Sequence, residues 1–304
     1  MSDQALAVPA PAPAGQRRPW LLLLGGTWRQ GRTKIGLAIV FLLVGTAVIG
    51  PLFSPYAADE SVVTGEVFHL PFEPPSDVAL LGTDNLGRDV LSRFLWGGRS
   101  VLALSALATL LGVAIGLPVG LFAAYSRGLL DDVLMRSMDV ILAFPQLVLA
   151  LVAVATVGPK IWLLVLAVGI TTSPRVARVV RGAAVEVVER DFVRAAESLG
   201  EPRRKILVGE ILPNITSPLV VEATLRFTFS IAVIAALSFL GFGLQPPAAD
   251  WGVMIQENRQ GLEVQPWGVV LPIIAIGLLT IGTSLVGDGF SRASIGIERG
   301  SGER

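Results

Sequence analysis

The chain has no cysteine and a single histidine among its 304 residues. Disulfides, thiol nucleophiles and the Cys/His clusters that hold zinc are therefore excluded. Basic and acidic residues are equal, at 24 each, so the chain has no strong positive field with which to bind nucleic acid. Charged residues make up only 16% of the sequence, against about 25% in a soluble domain. Together with 52% hydrophobic residues and a mean hydropathy of +0.67, this predicts a polytopic membrane protein.

Motifs for nucleotide and ester chemistry are also missing. A phosphate-binding loop ends in Gly-Lys followed by Ser or Thr, but Lys34, Lys160 and Lys205 are each followed by isoleucine. No Gly-x-Ser-x-Gly sequence marks a nucleophilic serine. We therefore expect no catalytic residue, no metal and no cofactor in this chain, which is predicted not to be an enzyme.

Long uncharged stretches determine the predicted architecture. A helix needs about 20 apolar residues to cross the ~30 Å hydrocarbon core of a bilayer. Five uncharged runs reach that length, namely 35–58, 100–126, 140–159, 227–249 and 264–287. A sixth run, 161–174, is shorter, and we expect its span to continue past Arg175 and Arg178.

The sequence thus predicts an all-α membrane protein with six transmembrane helices. The spans cover about residues 35–55, 100–126, 139–158, 161–181, 218–243 and 267–287. They form one domain, 35–290, which includes a cytoplasmic loop at 182–217. Residues 1–34, Ala/Pro-rich at 5–14, are predicted to be a partly disordered tail, and 291–304 a second tail. In the second span Gly112, Gly116 and Gly120 recur every four residues, which favours close helix packing over a ligand role.

The distribution of basic residues predicts the orientation. With the N-terminus in the cytoplasm, eighteen lysines and arginines lie in inside segments and five in outside segments. Short inside loops carry such an excess. Both termini are therefore predicted to be cytoplasmic.

The longest inside loop has the pattern of a helix, a tight turn and a second helix. Its apolar residues recur at helical spacing: Val185, Val188, Phe192, Ala195, Ala196 and Leu199. Gly200 follows as a residue that tolerates positive φ, and Pro202 suits a first helical turn. The pattern alone leaves two interpretations open, a helix resting on membrane lipid or a docking site for a cytosolic partner.

This loop resembles the EAA loop of ABC importer permeases. The match consists of Arg194-Ala195-Ala196-Glu197-Ser198-Leu199-Gly200 and, nine residues later, Glu210-Ile211-Leu212-Pro213. Further stretches are similar to the dipeptide/oligopeptide/nickel permeases: Gly82-Thr83-Asp84-Asn85-Leu86-Gly87-Arg88-Asp89, Ala143-Phe144-Pro145, Ala236-Leu237-Ser238-Phe239-Leu240-Gly241-Phe242-Gly243, and Pro246-Pro247 with Trp251-Gly252. The resemblance covers about residues 30–290. Arg194 and Glu210 depart from the family pattern, which has Glu and Ile there, and the acidic group is instead Glu197.

The resemblance implies a type I importer permease (MetI-like) fold in the bacterial inner membrane. It implies a second homologous permease, two ATPase subunits that bind ATP and Mg²⁺, and an extracellular solute-binding protein as partners. It also implies that a coupling helix in the loop contacts the ATPase. The residues assigned to that coupling are Arg194, Ala195, Ala196, Glu197, Ser198, Leu199, Gly200, Leu212 and Pro213.

Polar residues within the spans are candidates for the translocation path. Glu222 and Arg226 are spaced i, i+4 and can pair, either as an interfacial ion pair or as part of a path lining. Further candidates are Asp139, Gln146, Ser230 and Thr283. On the outside, Pro246, Pro247 and Trp251 are candidates for contact with a binding protein or for an outer gate.

The function predicted on this basis is that of a permease subunit of an ATP-driven importer for peptides or a related small solute. The alternative is a secondary transporter driven by an ion gradient, a class that often carries ionisable groups inside the membrane. The solute itself is not specified by these motifs.

Overall fold

In the computed structural model, residues 30–64, 67–126 and 128–302 are described, with side chains for all of them except 64, 67 and 294–302. Most of the predicted N-terminal tail, residues 1–29, lies outside this part. The elements are α1 Gly31–Ile49, β1 Val63–Thr64, β2 Val67–Phe68, α2 Val90–Ser126, α3 Leu129–Leu142, α4 Gln146–Val157, α5 Ile161–Val188, α6 Asp191–Ser198, α7 Arg203–Lys205, α8 Leu212–Asn214, α9 Thr216–Phe239, α10 Trp251–Asn258 and α11 Trp267–Gly302. Short 3₁₀ turns follow α1 and α10, and a π-helical segment, Ile206–Ile211, joins α7 to α8.

The described chain is helical apart from one ribbon of two antiparallel two-residue strands, so the predicted fold class is confirmed. Five helices are long and apolar enough to cross a membrane, namely α1, α2, α5, α9 and α11. Helices α3 and α4 together make a sixth candidate span, bent by 76°.

That bend replaces the straight helix expected over 139–158. The chain leaves α3 at Leu142 and begins α4 at Gln146, with Pro145 as the N-cap. Proline disfavours helical backbone at the residue before it, here Phe144, and has no N–H for a helical hydrogen bond. A run of uncharged residues therefore does not imply an unbroken helix.

Two helices are longer than the uncharged runs that predicted them. Helix α2 begins at Val90 and not near residue 100, and α5 continues to Val188. Both helices include charged residues that pair with side chains or backbone groups elsewhere in the fold. A charged residue at the end of an uncharged run therefore does not mark the end of the helix. Helix α11 continues to Gly302 and so runs into the region predicted to be a tail.

Helices α2 and α5 make the most extensive helix contact in the described chain. A Cβ on Gly116 would lie 2.5 Å from the backbone oxygen of Ser173, and one on Gly120 would lie 2.5 Å from that of Ala177. A Cβ on Gly112 would be 3.1 Å from the backbone oxygen of Gly169. The spacing of small residues in the second span therefore marks a line of close backbone contact, as expected from the sequence.

The two ends of α2 belong to different parts of the core. Its first turns contribute Val90 and Phe94 to a cluster with Trp251 of α10. Its last turns contribute Leu121 and Ala124 to a cluster that contains Val193 of α6. At about 1.5 Å per residue, the 37 residues of α2 separate these ends by roughly 55 Å. The segment before α2 and the helix α6 thus lie at opposite ends of the bundle.

We predict that Gly116→Val destabilises the protein, because a Cβ and two methyl groups would have to enter the α2–α5 contact. Overpacking of this kind costs about 1–3 kcal/mol. The measurement is the melting temperature of the purified protein in detergent. Gly45→Val in α1 is the matched control, since a Cβ there meets no atom within 4 Å. Equal melting temperatures for the two variants would contradict the role of the glycine line.

Candidate functional site

Helix α6 is attached to the end of the bundle by two side chains. Val193 and Ala196 are buried, and both pack into the cluster formed by the ends of α2 and α5 with the π-helical segment. The helical conformation is interrupted between α5 and α6 at Glu189 and Arg190. Arg190 has extended backbone and is the N-cap of α6. The helix is therefore fixed along one side only.

Most of the remaining surface of α6 is exposed in this chain. Leu199 is 81% exposed and Phe192 38% exposed, although both are large and apolar. The apolar pattern expected over residues 185–199 does not lie on one continuous helix, because α5 ends at Val188 and α6 begins at Asp191. Arg194, Ala195, Glu197 and Ser198 are also exposed, and Glu197 interacts with Tyr125 at the end of α2.

Gly200 ends α6 in the conformation expected from the sequence. Its φ is +74°, a region that costs a residue with a Cβ about 1–2 kcal/mol. The N–H of Gly200 donates to the carbonyl of Glu197 at 2.9 Å, and that of Glu201 donates to the carbonyl of Ala196 at 3.1 Å. These two bonds form the Schellman ending of a helix. The turn lets the chain leave α6 sharply and begin α7 after Pro202.

The second half of the loop supports α6 from beneath. Ile206, Leu207 and Ile211 are buried in the same cluster as Val193. Leu212 is partly buried and packs against that cluster, whereas Pro213 is exposed. Of the residues assigned to coupling, Leu212 therefore has a packing role in this chain and Pro213 shapes the helix, because its ring cannot donate to the helical ladder. The wide π-helical turn precedes it directly.

Polar groups gather where the third span is broken. Helix α5 carries Arg178, whose Nη2 lies 2.5 Å from Oδ1 of Asp139 on α3. Gln146, the first residue of α4, donates to the hydroxyl of Thr172 at 3.4 Å and accepts from Nη1 of Arg175 at 3.3 Å. Two of the predicted path residues, Asp139 and Gln146, are thus brought to one face of α5.

Glu222 and Arg226 form the ion pair that their spacing predicts. Nε of Arg226 lies 2.8 Å from Oε1 of Glu222, and both residues are buried. The guanidinium carbon of Arg226 lies 5.0 Å from the ring centroid of Phe229. Burial and pairing within α9 place this pair inside the bundle, as a membrane-level charge requires.

Ser230 and Thr283 make contacts between helices of this chain. The hydroxyl of Thr109 on α2 donates to that of Ser230 at 3.2 Å, and the hydroxyl of Thr228 donates to that of Thr283 on α11 at 2.9 Å. Both residues are buried. In this chain both residues therefore take part in hydrogen bonds between helices.

The three outer candidates have different environments. Trp251 is fully buried, stacks on Phe94 at 5.3 Å between ring centroids, and donates from Nε1 to the Phe94 carbonyl at 2.9 Å. It is therefore a core residue, and a direct contact with a binding protein through its side chain is excluded in this conformation. Pro246 and Pro247 are exposed in the connector before α10.

A buried network of four charges joins residues 54–89, here called the outer cap, to α10. Oδ2 of Asp84 lies 2.7 Å from Nε of Arg88 and 3.2 Å from Nη1 of Arg93. Oε2 of Glu257 lies 3.0 Å from Nη2 of Arg88 and 2.9 Å from Nη2 of Arg93. All four side chains are at most 7% exposed. Burial raises the pKa of Glu257, an effect that Arg88 opposes.

Sequence reasoning did not identify this network. Residues 82–89 contain a pattern that could have indicated a turn, because Asp84 and Arg88 each lie close to a glycine, Gly82 and Gly87. Both glycines have positive φ in the structure. Oδ1 of Asp84 accepts from the N–H of Leu86 at 2.8 Å and of Arg88 at 2.9 Å, so the turn builds its own acidic centre. The partner Glu257 is 169 residues away from Arg88 and no local pattern indicates it.

Taken together, the bundle, the one-sided helix α6 and the polar residues at the broken span define a membrane transport subunit. Residues 116–294 match the family described as the binding-protein-dependent transport system inner membrane component. The chain is 36% identical over 277 residues, 91% of each chain, to the glutathione transport system permease protein GsiD of Pectobacterium atrosepticum. It is 33% identical over 275 residues, 90% of this chain and 89% of the relative, to the dipeptide transport system permease protein DppC of Alkalihalophilus pseudofirmus.

The chain therefore belongs to the family of inner membrane components of binding-protein-dependent transport systems, as a permease subunit. A solved structure of the MetNI methionine ABC transporter in an inward-facing conformation has a TM-score of 0.51 and 20% identity, and it covers 65% of this chain and 96% of that chain. This likeness shows the fold alone. Membership of the family sets aside the alternative of a transporter driven by an ion gradient.

We predict that Asp84→Asn destabilises the outer cap, because Arg88 and Arg93 lose a buried charge partner. Breaking a buried ion pair costs about 3–5 kcal/mol. The measurements are the melting temperature and the rate of proteolysis within residues 54–89. Asp77→Asn is the matched control, since Asp77 is an exposed carboxylate of the same segment. If both variants melt and are cleaved like the parent protein, the network does not hold the cap.

Proposed function

We propose that this chain is one of two permease subunits in an importer for glutathione or dipeptides. The observation that carries the proposal is the match to permeases of those two systems along about nine tenths of both chains. Glutathione and dipeptides are small, polar and carry at least one carboxylate. A protein path for such a solute needs polar groups at membrane depth, and Asp139 with Gln146 at the broken span supplies them.

The proposal includes a division of labour between subunits. Two ATPase subunits would bind ATP and Mg²⁺ and hydrolyse ATP, while this chain would have no ATPase activity, because each of its lysines lacks the Gly before it and the Ser or Thr after it that a phosphate-binding loop requires. A second homologous permease would complete the path. An extracellular binding protein would deliver the solute to the end of the bundle that carries the outer cap.

Helix α6 is proposed as the part that the ATPase contacts. Its support is the combination of a buried side, Val193 and Ala196, with an exposed side that carries Phe192 and Leu199. Large apolar side chains left in water favour a protein partner. Glu197 and Arg194 are the charged groups available to that partner, at one end of a helix fixed to α2 and α5.

The orientation follows from the same assignment. The ATPase is cytosolic, so α6 and both chain termini would lie on the cytoplasmic side, in agreement with the excess of basic residues in those segments. Pro246 and Pro247 would then be exposed on the outer side, where they are candidates for contact with the binding protein or for a gate. Movement of α6 on ATP binding would shift the bundle between two states.

The test is uptake by proteoliposomes that contain the complete importer with this chain, its partner permease, both ATPases and the binding protein. We expect accumulation of labelled glutathione or of a labelled dipeptide only with ATP on the ATPase side. This chain, purified alone, is expected to hydrolyse no ATP. Robust hydrolysis by the pure chain would refute the division of labour, and absence of uptake of both solutes would refute the substrate class.

Gly200→Val is expected to leave the protein in the membrane but to reduce uptake at least tenfold relative to ATP hydrolysis. The physical reason is that φ of +74° strains a residue with a Cβ by about 1–2 kcal/mol, so the end of α6 shifts. Gly182→Val in α5 is the matched control, because a Cβ meets no atom within 4 Å at either glycine and only Gly200 has positive φ. The readout is the ratio of solute molecules imported to ATP hydrolysed. A ratio that Gly200→Val leaves at the parent value would contradict the coupling role.

A further inference from the structure

The three arginines in the C-terminal half of α5, Arg175, Arg178 and Arg181, are not equivalent. Arg178 pairs with Asp139, and Arg181 makes two bonds to Asp131, from Nε at 2.6 Å and from Nη2 at 2.5 Å. In the part of the chain that the structure describes, Arg175 has no carboxylate partner. Its hydrogen bond is to the side-chain carbonyl of Gln146 at 3.3 Å. The charge of Arg175 is therefore oriented by a neutral amide and is not neutralised.

Gln146, the first residue of α4 after the break in the third span, fixes the orientation of the Arg175 side chain. Its amide nitrogen donates to Thr172, which lies on α5 three residues before Arg175. The amide thus bridges α4 and α5 and presents its oxygen to the guanidinium. A guanidinium has five N–H donors, and the bond to Gln146 uses one of them. The others remain available to a ligand.

A cavity of about 250 Å³ lies at the break in the third span, and Arg175 lines it with Gln146, Thr171 and residues 143–145. Among the described residues that line this cavity, Arg175 is the charged one. The hydroxyl of Thr171 donates to backbone carbonyls of its own helix, at 2.8 and 3.0 Å. Small-molecule sites usually exceed about 300 Å³, so this volume suits one end of a solute rather than a whole peptide.

Arg175 directly follows the uncharged run 161–174, and its side chain is exposed in this chain. It is 14 residues from the start of α5 and 13 from its end, so about 20 Å of helix extends on either side. An arginine within a membrane helix faces a water-filled path or a partner group. The neighbouring Arg226, whose charge acts on the same region, is already paired with Glu222 and covered by Phe229. The uncompensated positive charge of this region is that of Arg175.

We propose that Arg175 is the site at which the importer binds a carboxylate group of its solute during passage. The guanidinium fork matches a carboxylate through two parallel hydrogen bonds, and Gln146 keeps it turned toward the helix break. This inference rests on the proposed function for the class of solute, since peptides and glutathione both carry a terminal carboxylate. The site itself is a property of this chain and can be tested without transport.

The test uses the absence of cysteine from this chain. Ala143→Cys places a thiol on an exposed residue that lines the same cavity. In the assembled importer, the rates of labelling of this thiol by an anionic and by a cationic methanethiosulfonate reagent are compared, after subtraction of labelling in the complex without the substitution. We expect a preference for the anionic reagent, which Arg175→Gln lowers by about tenfold, the effect of one unit charge at short range in a partly wet site.

The matched control is the double variant Asp139→Asn with Arg178→Gln, which removes a mutually neutralising ion pair one helical turn away and leaves the net charge of the region unchanged. It is expected to change the preference much less than Arg175→Gln. S-methylglutathione, which has no thiol to react with the reagent, and alanyl-alanine each have a free carboxylate and are expected to slow labelling, whereas alanyl-alanine amide is not. In a complex with Arg175→Gln this protection is expected to be lost.

Two results would overturn the proposal. One is a charge preference that Arg175→Gln leaves unchanged. The other is a combination of two observations: the charge preference depends on Arg175, but neither carboxylate probe slows the labelling. This would mean that an acidic residue of the second permease already forms an ion pair with the guanidinium. Failure of uptake in the proteoliposome assay, with labelling and protection as expected, would remove the proposed substrates while leaving the carboxylate site in place.

Discussion

Charges inside the bundle have to be compensated, and the way in which they are compensated shapes this protein. An arginine at the centre of a membrane helix costs about 2.5–3.5 kcal/mol on insertion scales. Helix α5 carries three arginines in its C-terminal half, and two are paired with acidic residues of α3. These pairs hold α3 against α5 along the helix that precedes the 76° turn of the third span. The bend, at which Gln146 is partly buried, is therefore supported by pairs that also compensate two of the arginines of α5.

The same principle acts at the opposite end of the bundle from α6. Arg93 lies in the first turn of α2 and is fully buried, which is possible because Asp84 and Glu257 surround it. The network ties together three segments far apart in sequence: the outer cap, α2 and α10. Asp250 adds a further connection, since its carboxylate caps α10 and accepts from the hydroxyl of Ser100 on α2 at 2.6 Å. Burial raises the pKa of Asp250, and its hydrogen bonds oppose that shift.

The sequence was sufficient to predict features that depend on local patterns. Residue type and spacing predict four features that the structure contains: the number of candidate spans, the close contact at Gly116, the pairing of Glu222 with Arg226 and the positive φ of Gly200. Features that depend on distant partners were not predictable in this way. Nothing near Arg93 in sequence indicates that Glu257 neutralises it, so the start of α2 was placed ten residues too late. Trp251 was a candidate for contact with a binding protein or for an outer gate, yet Phe94 and the glycines Gly97 and Gly98 form a pocket for its ring.

The glycine line between α2 and α5 connects these two ends mechanically. The backbone oxygens of α5 approach the glycines of α2 so closely that a Cβ atom would not fit between them. Because the packing is this tight, the two helices have little freedom to slide against each other. Val193 of α6 packs in the same cluster as the ends of both helices. In the proposed coupling, a displacement of α6 would therefore act on both helices at once, and would reach Arg175 and Gln146 through α5 and the outer cap through α2. The packed pair would move as a unit, and the break in the third span, where the packing is interrupted, would be the place at which the proposed path opens or closes.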